Sequence, residues 1–369
     1  MKITCNKNDL LNSVNIVLKA VPSKTSMSIL ECIIIDATDD NIRLITNDME
    51  LGIETIVKGS ITEKGSVAIN AKIFSDIVRR LPDNEVTIEL KDNYVTKITC
   101  EKSKFNISGS SSEEFPYLPE IEKEKPITIS QFSLKEIIRQ TVFSISDNEN
   151  NKIMTGELFE ISKNDLRVLA LDGHRIAIRK IKLKEENDDN KIIVPGKTLN
   201  EISKILSGEI DDFVKIFTTD KHILFEFDDT IVLSRLIEGD FYKIDQMLST
   251  DYETKIKINK REFQNSIDRA SLLIRDSDRK PIILDINNNV LELKINTEIG
   301  ALNEKIDIEL EGKDIKIGFN PKFLLDALRV IDDEIIDLYF INAKAPCFIR
   351  DKEQLYIYLI LPVNINAGY

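Results

Sequence analysis

The stretch INAKIFSDIVRRL at residues 69–81 decides the fold, because it occurs in three related forms along the chain. Its counterparts are VPGKTLNEISKIL at 194–206 and FNPKFLLDALRVI at 319–331. Each form has a strand-like lead-in, a lysine, and then apolar residues at the spacing of an amphipathic helix. Both intervals between the shared lysines measure 125 residues, which indicates an internal threefold repeat; these lysines are Lys72, Lys197 and Lys322.

The remainder of each period repeats as well. Each opens with a short strand and a helix, continues with paired strands separated by turn residues, and then reaches the lysine-containing helix. The pattern predicts an α+β fold of three repeated domains, each with two helices and roughly eight strands, in which the helices cover antiparallel sheets. The linker-like segments PEIEKEKP and LSTDYET place the domains at 1–122, 123–250 and 251–369.

Composition excludes several classes of protein. No apolar run is long enough to cross a bilayer, and the N-terminus lacks a signal-peptide core, so we expect a cytoplasmic protein without a membrane partner. With two histidines and four scattered cysteines, no metal site is predicted, and the cysteines are expected to be buried, reduced thiols. The net charge of −13 argues, taken alone, against binding nucleic acid.

The positive charge, however, is concentrated in the predicted helices. The windows 6–20, 71–81, 131–145, 196–206, 259–274 and 321–331 contain 14 basic and 7 acidic residues. If all six helices face one side, they form a basic surface that holds a phosphate backbone by charge without reading its sequence. Few aromatic residues accompany the basic ones, which disfavours a protein that stacks single-stranded bases.

The segment LDGHRIA at 171–177 contains one of the two histidines. An Asp-Gly pair between two strand-like runs predicts a hairpin turn, with Gly173 supplying a positive φ. A catalytic role for Asp172 and His174 is the alternative, but no nucleophile, phosphate-binding or zinc-protease motif accompanies them. We therefore predict no catalytic residue and no cofactor.

Three segments carry a resemblance to a known family. VLALDGHRIA at 168–177 resembles the TDGHRLA signature of bacterial DNA polymerase III sliding clamps, the beta-subunit family. YLILPVNI at 358–365 resembles the terminal strand of that family, and SKTSMSILECIIIDA at 23–37 resembles its first-domain pattern. The resemblance extends over the whole chain and includes the threefold repeat.

This resemblance implies the DNA clamp fold, closed as a head-to-tail homodimeric ring whose helices surround duplex DNA. Such a clamp performs no chemistry; it tethers the replicative polymerase topologically and so confers processivity. The implied partners are duplex DNA, a second copy of the chain, the clamp loader, the DNA polymerase III alpha subunit, and other clamp-binding replication and repair proteins.

The resemblance also implies functional residues. The groove that binds partner peptides, which carry a glutamine and apolar anchors, would comprise Met154, Leu171, Gly173, His174, Arg175, Ile176, Leu359, Leu361, Pro362 and Val363. The DNA-facing residues would be Lys24, Lys72, Arg79, Arg80, Arg139, Lys197, Lys204, Lys322 and Arg329. The dimer interface would join Phe105 and Ile107 of one subunit to Leu272 and Leu273 of the other.

The chain departs from the family pattern at several of these positions. Leu171 replaces the usual threonine, Ser249 stands where proline is frequent, and Asn364 replaces an arginine. In the 148–152 loop, Asn151 replaces an expected arginine. The competing hypothesis from the residues alone is a scaffold protein that uses the repeat without encircling DNA; an enzyme built on Asp172 and His174 comes third.

Overall fold

The computed structural model describes residues 1–275 and 280–365. Over these residues the chain forms α1 (Lys7–Val17), α2 (Ala71–Arg80), α3 (Gln131–Thr141), α4 (Gly196–Ile205), α5 (Lys260–Ser271) and α6 (Pro321–Val330). All six predicted helix windows therefore contain a helix. The chain divides into two compact units: unit 1 comprises Met1–Ser133 and Glu201–Leu236, and unit 2 comprises the described residues of Leu134–Asn200 and Ile237–Tyr369.

The strands of the described residues follow in chain order: β1 (Lys2–Asn6), β2 (Cys32–Ala37), β3 (Ile42–Asn47), β4 (Leu51–Val57), β5 (Gly59–Glu63), β6 (Gly65–Asn70), β7 (Glu85–Leu90), β8 (Val95–Cys100), β9 (Ser103–Ser108), β10 (Ile127–Ser130), β11 (Gly156–Leu171), β12 (Arg175–Pro195), β13 (Phe213–Thr218), β14 (His222–Phe227), β15 (Thr230–Arg235), β16 (Thr254–Asn259), β17 (Ile282–Asn287), β18 (Val290–Asn296), β19 (Ala301–Asp307), β20 (Glu309–Gly312), β21 (Ile315–Phe319), β22 (Ile335–Phe340), β23 (Cys347–Arg350) and β24 (Tyr356–Ile360).

Within the described residues, each unit contains two sheets. In unit 1 the strand orders are β5-β1-β7-β8-β9 and β10-β13-β14-β15-β4-β3-β2-β6. In unit 2 they are β11-β12-β24-β23-β22-β16-β20 and β19-β18-β17-β21. Neighbouring strands pair in antiparallel fashion, so one face of each sheet can be apolar and covered while the other is exposed to water.

The helices begin where the sequence provides a capping residue. Asn6, Asn70, Asn259 and Asn320 each precede a helix and accept a hydrogen bond from a backbone N–H of its first turn. One face of each of these helices is buried, and α1 packs against α2 as α5 packs against α6. Burial of this apolar face stabilises such short helices more than intrinsic propensity does.

The second repeat has fewer strands than predicted. It forms six strands, β10 to β15, whereas the first and third repeats form nine each among the described residues. The reason is that β11 and β12 are 16 and 21 residues long and continue where the other repeats break. The SKND segment that reads as a turn is instead a register irregularity around Lys163, whose φ of 53° bends the strand without ending it.

The four cysteines form no disulfide; three are buried and Cys32 is half-buried. Burial raises the pKa of the Cys5 thiol to about 12, so this thiol stays protonated and unreactive. Among the described residues, no helix is long and apolar enough to span a membrane. The domain boundaries predicted at 122/123 and 250/251 stay a prediction.

Candidate partner-binding groove

A cavity of about 210 Å³ lies in unit 2, where the β11–β12 turn, the end of β24 and the segment before β16 meet. Most of its wall is apolar, and the buried side chains beneath it belong to one core cluster. Its lining residues are Met154, Leu171, Gly173, His174, Arg175, Ile176, Tyr242, Lys243, Ile244, Met247, Leu359 and Leu361.

The first wall is the turn that the Asp-Gly pair predicts. Leu171 pairs with Ile176 across the hairpin, and Gly173 has a φ of +87°, which favours glycine. The Asp172 carboxylate accepts the backbone N–H groups of His174 and Arg175 at 2.9 and 3.1 Å. The side chain of an aspartate thus fixes the turn locally.

Arg175 is the buried centre of this turn, with 7% of its surface exposed. Its guanidinium donates to the carboxylates of Asp172 (2.9 Å) and Asp326 (2.6 Å) and to the carbonyl of Phe143 (2.6 Å). It also lies over the ring of Phe323, 4.7 Å from the centroid. Two carboxylates therefore neutralise the buried charge, and the arginine ties the turn to α6.

His174 is held by packing. Its imidazole stacks on Phe323 with centroids 5.7 Å apart, and its backbone carbonyl accepts the N–H of Leu361 at 2.9 Å. The Asp172 carboxylate is engaged by the turn and by Arg175, so it does not orient the imidazole as a catalytic base requires. Among the described residues no cluster of potential metal ligands occurs either.

The other walls come from distant parts of the chain. Leu359 of β24 lies opposite Ile176 of β12, and both are buried. Before β16, Ile244 is buried while Met247 is 47% exposed at the mouth of the cavity. The Tyr242 hydroxyl accepts a hydrogen bond from the Asn151 side-chain amide at 2.8 Å, which connects this wall to the 148–152 loop.

The structure brings eight of the ten predicted groove residues to this cavity and leaves two outside its lining. Pro362 is half-buried, and Val363 donates its backbone N–H to the carbonyl of Gly318 in β21 at 2.8 Å. Four lining residues were missed by the sequence reasoning: Tyr242, Lys243, Ile244 and Met247. They lie in the FYKIDQML segment at 241–248, at the end of the second repeat, where no regular apolar periodicity marks a binding wall.

Most predicted DNA-facing side chains are exposed, but several are paired. Arg80, Lys204 and Arg329 form ion pairs on their own or a neighbouring helix. Arg139 is half-buried and bonds to Glu136, to Asp332 at 2.8 Å and to the carbonyl of Val330. Of the acidic partners in these pairs, Asp332 alone lies outside the six helix windows, so these pairings leave the net positive charge counted there almost unchanged. Lys24, Lys72 and Lys322 are exposed and have no ion-pair partner among the described residues.

The four predicted interface residues divide between the units. Phe105, 38% exposed, and the half-buried Ile107 lie on β9, the edge strand of the five-stranded sheet of unit 1. Leu272 caps the C-terminus of α5 in unit 2 and is 80% exposed, next to the half-buried Leu273. An unpaired strand edge and an exposed leucine are features that oligomerisation often covers.

Three family profiles match nearly the whole chain. They describe the N-terminal, central and C-terminal domains of the DNA polymerase III beta subunit and match residues 1–119, 128–243 and 245–364. The beta sliding clamp of Bacillus subtilis is 37% identical over 377 residues, covering 99% of this chain and 100% of that one. The beta sliding clamp of Staphylococcus epidermidis is 36% identical over 375 residues, covering 99% of both.

Solved structures agree with these matches. A crystal structure assigned as a DNA polymerase III beta subunit from Eubacterium rectale is 60% identical, with a TM-score of 0.97 over 100% of both chains. The DNA polymerase sliding clamp of Bacillus subtilis is 37% identical, with a TM-score of 0.95 over 99% of both chains. The predicted three-domain clamp fold is thereby confirmed. The chain belongs to the bacterial DNA polymerase III beta-subunit family, and its function is that of a DNA sliding clamp, a processivity factor that catalyses no reaction.

Proposed function

We propose that the chain acts as a head-to-tail homodimeric ring around duplex DNA, and that the groove of unit 2 receives short peptides of its partner proteins. The observation that carries the peptide-binding role is the cavity itself. It has apolar walls for a peptide's anchors, a few polar groups at its edge, and a turn made rigid by the buried Arg175.

The ring is supported by two surface features. The β9 edge, with Phe105, offers unpaired backbone groups in unit 1, and Leu272 offers an exposed apolar side chain in unit 2. A contact between these different surfaces of two copies is heterologous. Only a closed assembly covers both surfaces in every copy. The proposed interface consists of Phe105, Ile107, Leu272 and Leu273.

Contact with DNA is proposed to be electrostatic and independent of sequence. It would use the exposed basic residues Lys24, Lys72, Arg79, Arg80, Lys197, Lys204, Lys322 and Arg329, with Arg139 contributing less because its charge is already paired. A topological link allows this attraction to be weak, since the closed ring, and not the affinity, keeps the protein on DNA. We place this activity in the cytoplasm.

The proposed partners are the DNA polymerase III alpha subunit, the clamp loader, and other replication and repair proteins that carry such peptides. Deleting residues 359–369 is a poor test of the groove, because it removes Leu359 and Ile360, which are buried in the sheet of unit 2. Single substitutions at the exposed part of the groove are preferable.

The topological link is tested by retention on circular and linear DNA. A clamp loader with ATP loads labelled protein onto nicked circular plasmid. The protein–DNA complex is isolated, and the DNA is then cut once. We expect retention on the circle and rapid loss after linearisation. Equal retention on both forms would contradict encirclement and favour direct binding. A known clamp loaded in parallel verifies that the loader is active.

A further inference from the structure

One wall of the groove belongs to a segment that crosses the sheet of unit 2 without pairing to it. Ile237 donates its backbone N–H to the carbonyl of Ile193, and Glu253 donates its own to the carbonyl of Phe340, at 2.9 Å each. Between these two bonds lies the wall segment, residues 238–252, which supplies four lining residues of the groove. Contacts other than strand pairing must therefore keep this wall in place.

A single side chain in the described part of the chain bonds to the backbone of the wall segment from outside it. Arg350 donates from Nη1 to the carbonyl of Ser249 and from Nη2 to the carbonyl of Thr250, at 3.0 Å each. The other backbone bonds of the segment are local, such as that from the N–H of Met247 to the carbonyl of Ile244 at 2.7 Å. Arg350 is thus the point at which the backbone of the wall is fixed to the sheet.

Arg350 is itself held firmly by the sheet. It is the last residue of β23, it is 8% exposed, and its guanidinium carbon lies 4.4 Å from the ring centroid of Tyr339 and 5.7 Å from that of Phe348. Within residues 1–275 and 280–365 it has no ion-pair partner, so the two carbonyls and the ring faces are what stabilise its charge. This packing fixes the direction in which the guanidinium donates.

The groove and Arg350 lie on the same face of the sheet. Phe348 of β23 lies opposite Leu359, a groove residue, and both belong to the buried cluster that also contains Ile244 of the wall segment. Arg350 follows Phe348 by two positions and therefore points to the same face. The carbonyls that it binds come two and three positions after Met247, so the bonds act directly on the part of the wall that borders the cavity.

Two further polar contacts of the wall segment lie at the surface. The Asn151 amide donates to the Tyr242 hydroxyl at 2.8 Å, and Arg167 forms an ion pair at 3.1 Å with Asp245, which is 79% exposed. Exposed contacts of this kind contribute little, because water replaces them readily. Apart from the burial of Ile244, Arg350 is therefore the main restraint on the wall.

We propose that Arg350 is a positioning residue of the groove, which keeps the wall segment on the sheet before a peptide arrives. Arg350 does not line the cavity, so it acts through the wall and not by touching the peptide. A preformed wall spares the peptide the free-energy cost of ordering it. If the wall is ordered in only a fraction of the molecules, the apparent Kd rises by the inverse of that fraction. This inference rests on the proposed peptide-binding role of the groove.

The experiment measures peptide affinity of full-length variants by fluorescence anisotropy. The probe is a fluorescein-labelled synthetic pentapeptide with one glutamine followed by leucine and phenylalanine anchors. Arg350→Met removes both hydrogen bonds but keeps an unbranched stem over Tyr339. We expect its affinity to fall about tenfold, as it would if the wall were ordered in about a tenth of the molecules. Arg350→Lys keeps a charged donor and should recover part of the affinity.

Arg179→Met is the matched control for the loss of an arginine from this sheet. Arg179 is half-buried in β12, and it forms no bond to the wall segment among the described residues. Its replacement should leave the affinity at the wild-type value. A loss equal to that of Arg350→Met would mean that removing any arginine of the sheet weakens binding, and it would overturn the specific role of Arg350.

Limited digestion with trypsin separates positioning from a general loss of stability. Lys243 is exposed but the next residue, Ile244, is buried, so cleavage after Lys243 requires the wall segment to leave the sheet. In Arg350→Met this cleavage should be at least about tenfold faster than in the wild type, and saturating peptide should suppress it. Weaker binding with an unchanged cleavage rate would overturn the inference.

Wild-type affinity in Arg350→Met would also overturn the inference, and it would leave the groove as the peptide site. If circular dichroism shows that Arg350→Met does not fold, Arg350→Gln, which keeps a neutral donor, replaces it with the same expected results. Absence of binding to the wild-type chain would instead overturn the peptide-binding role itself, and the inference with it.

Discussion

Arg175 of the β11–β12 turn and Asp326 of α6 form an ion pair with 2.6 Å between Nη1 and Oδ2, and both side chains are largely withdrawn from solvent. The pair joins residues 151 positions apart, in the second and third repeats. Because Asp326 is also 3.8 Å from Arg329, the connection continues along the polar side of α6. The groove is thereby fixed to a helix that carries two of the predicted DNA-facing residues.

Replacing Arg175 by alanine should destabilise the chain strongly. The change leaves the Asp172 and Asp326 carboxylates without their shared cation, and removing one partner of a buried ion pair typically costs about 3–5 kcal/mol. Urea unfolding measures this loss. Arg329→Ala is the control, because the Arg329 side chain is itself exposed and its contacts with Asp268 and Asp326 are long, so the change should alter stability little. Equal stability of the two variants would contradict a supporting role for Arg175.

Met247→Glu should abolish peptide binding without unfolding the protein. Met247 is 47% exposed at the mouth of the groove, so a carboxylate there is hydrated in the free protein but is desolvated by an apolar anchor. Fluorescence anisotropy with a labelled anchor peptide measures the affinity. Met49→Glu is a matched control, since Met49 is 43% exposed and lies in unit 1. Unchanged affinity of Met247→Glu would argue against this groove as the peptide site.

Leu272→Glu should convert the proposed dimer to monomers. A charge at a leucine that is 80% exposed costs the isolated chain little, but it opposes burial in an apolar interface. Light scattering coupled to size exclusion reports the mass. Ile210→Glu, at a residue 66% exposed elsewhere, should remain dimeric. A dimeric Leu272→Glu variant would remove Leu272 from the interface.

The buried Glu157 predicts a pH dependence of stability. Burial raises the pKa of its carboxyl from 4.5 to about 8, although a hydrogen bond with the Thr141 hydroxyl acts in the opposite direction. The folded state therefore keeps a proton that the unfolded chain loses above pH 4.5. The contribution of Glu157 is greatest below that pH and is lost as the pH rises towards about 8.

Glu157→Gln removes this titration. The stability of wild type relative to the variant should fall by up to about 1.4 kcal/mol per pH unit between the two pKa values, as measured by urea unfolding at several pH values. Glu149→Gln, in an exposed loop, should follow the wild type. Parallel wild-type and Glu157→Gln curves would show that the carboxyl titrates normally.

The repeat, the six helices and the Asp172–Arg175 turn could be predicted because their signals are visible in the sequence: a pattern that recurs every 125 residues, amphipathic spacing and an Asp-Gly pair. The ends of β11 and β12 could not, because continuity through Lys163 depends on pairing with the opposite strand. The position of Met247 in the groove also depends on tertiary packing, since its own segment has no regular periodicity. Arg139 is a basic residue on a helix, which is the pattern expected of a DNA contact. Its bonds to Glu136 and Asp332, however, are revealed only by the fold.

The central position of β24 between β12 and β23 also has a kinetic consequence. Arg175 and Ile360 are paired neighbours although they lie 185 positions apart in the sequence, so their pairing carries the entropic cost of closing a long loop. Non-local pairing of this kind slows folding. The groove, one wall of which is the end of β24, can therefore form only once this long-range pairing has been made. A chain whose β24 is still unpaired would lack this wall, and under the proposed peptide-binding role it would offer partners no complete docking site.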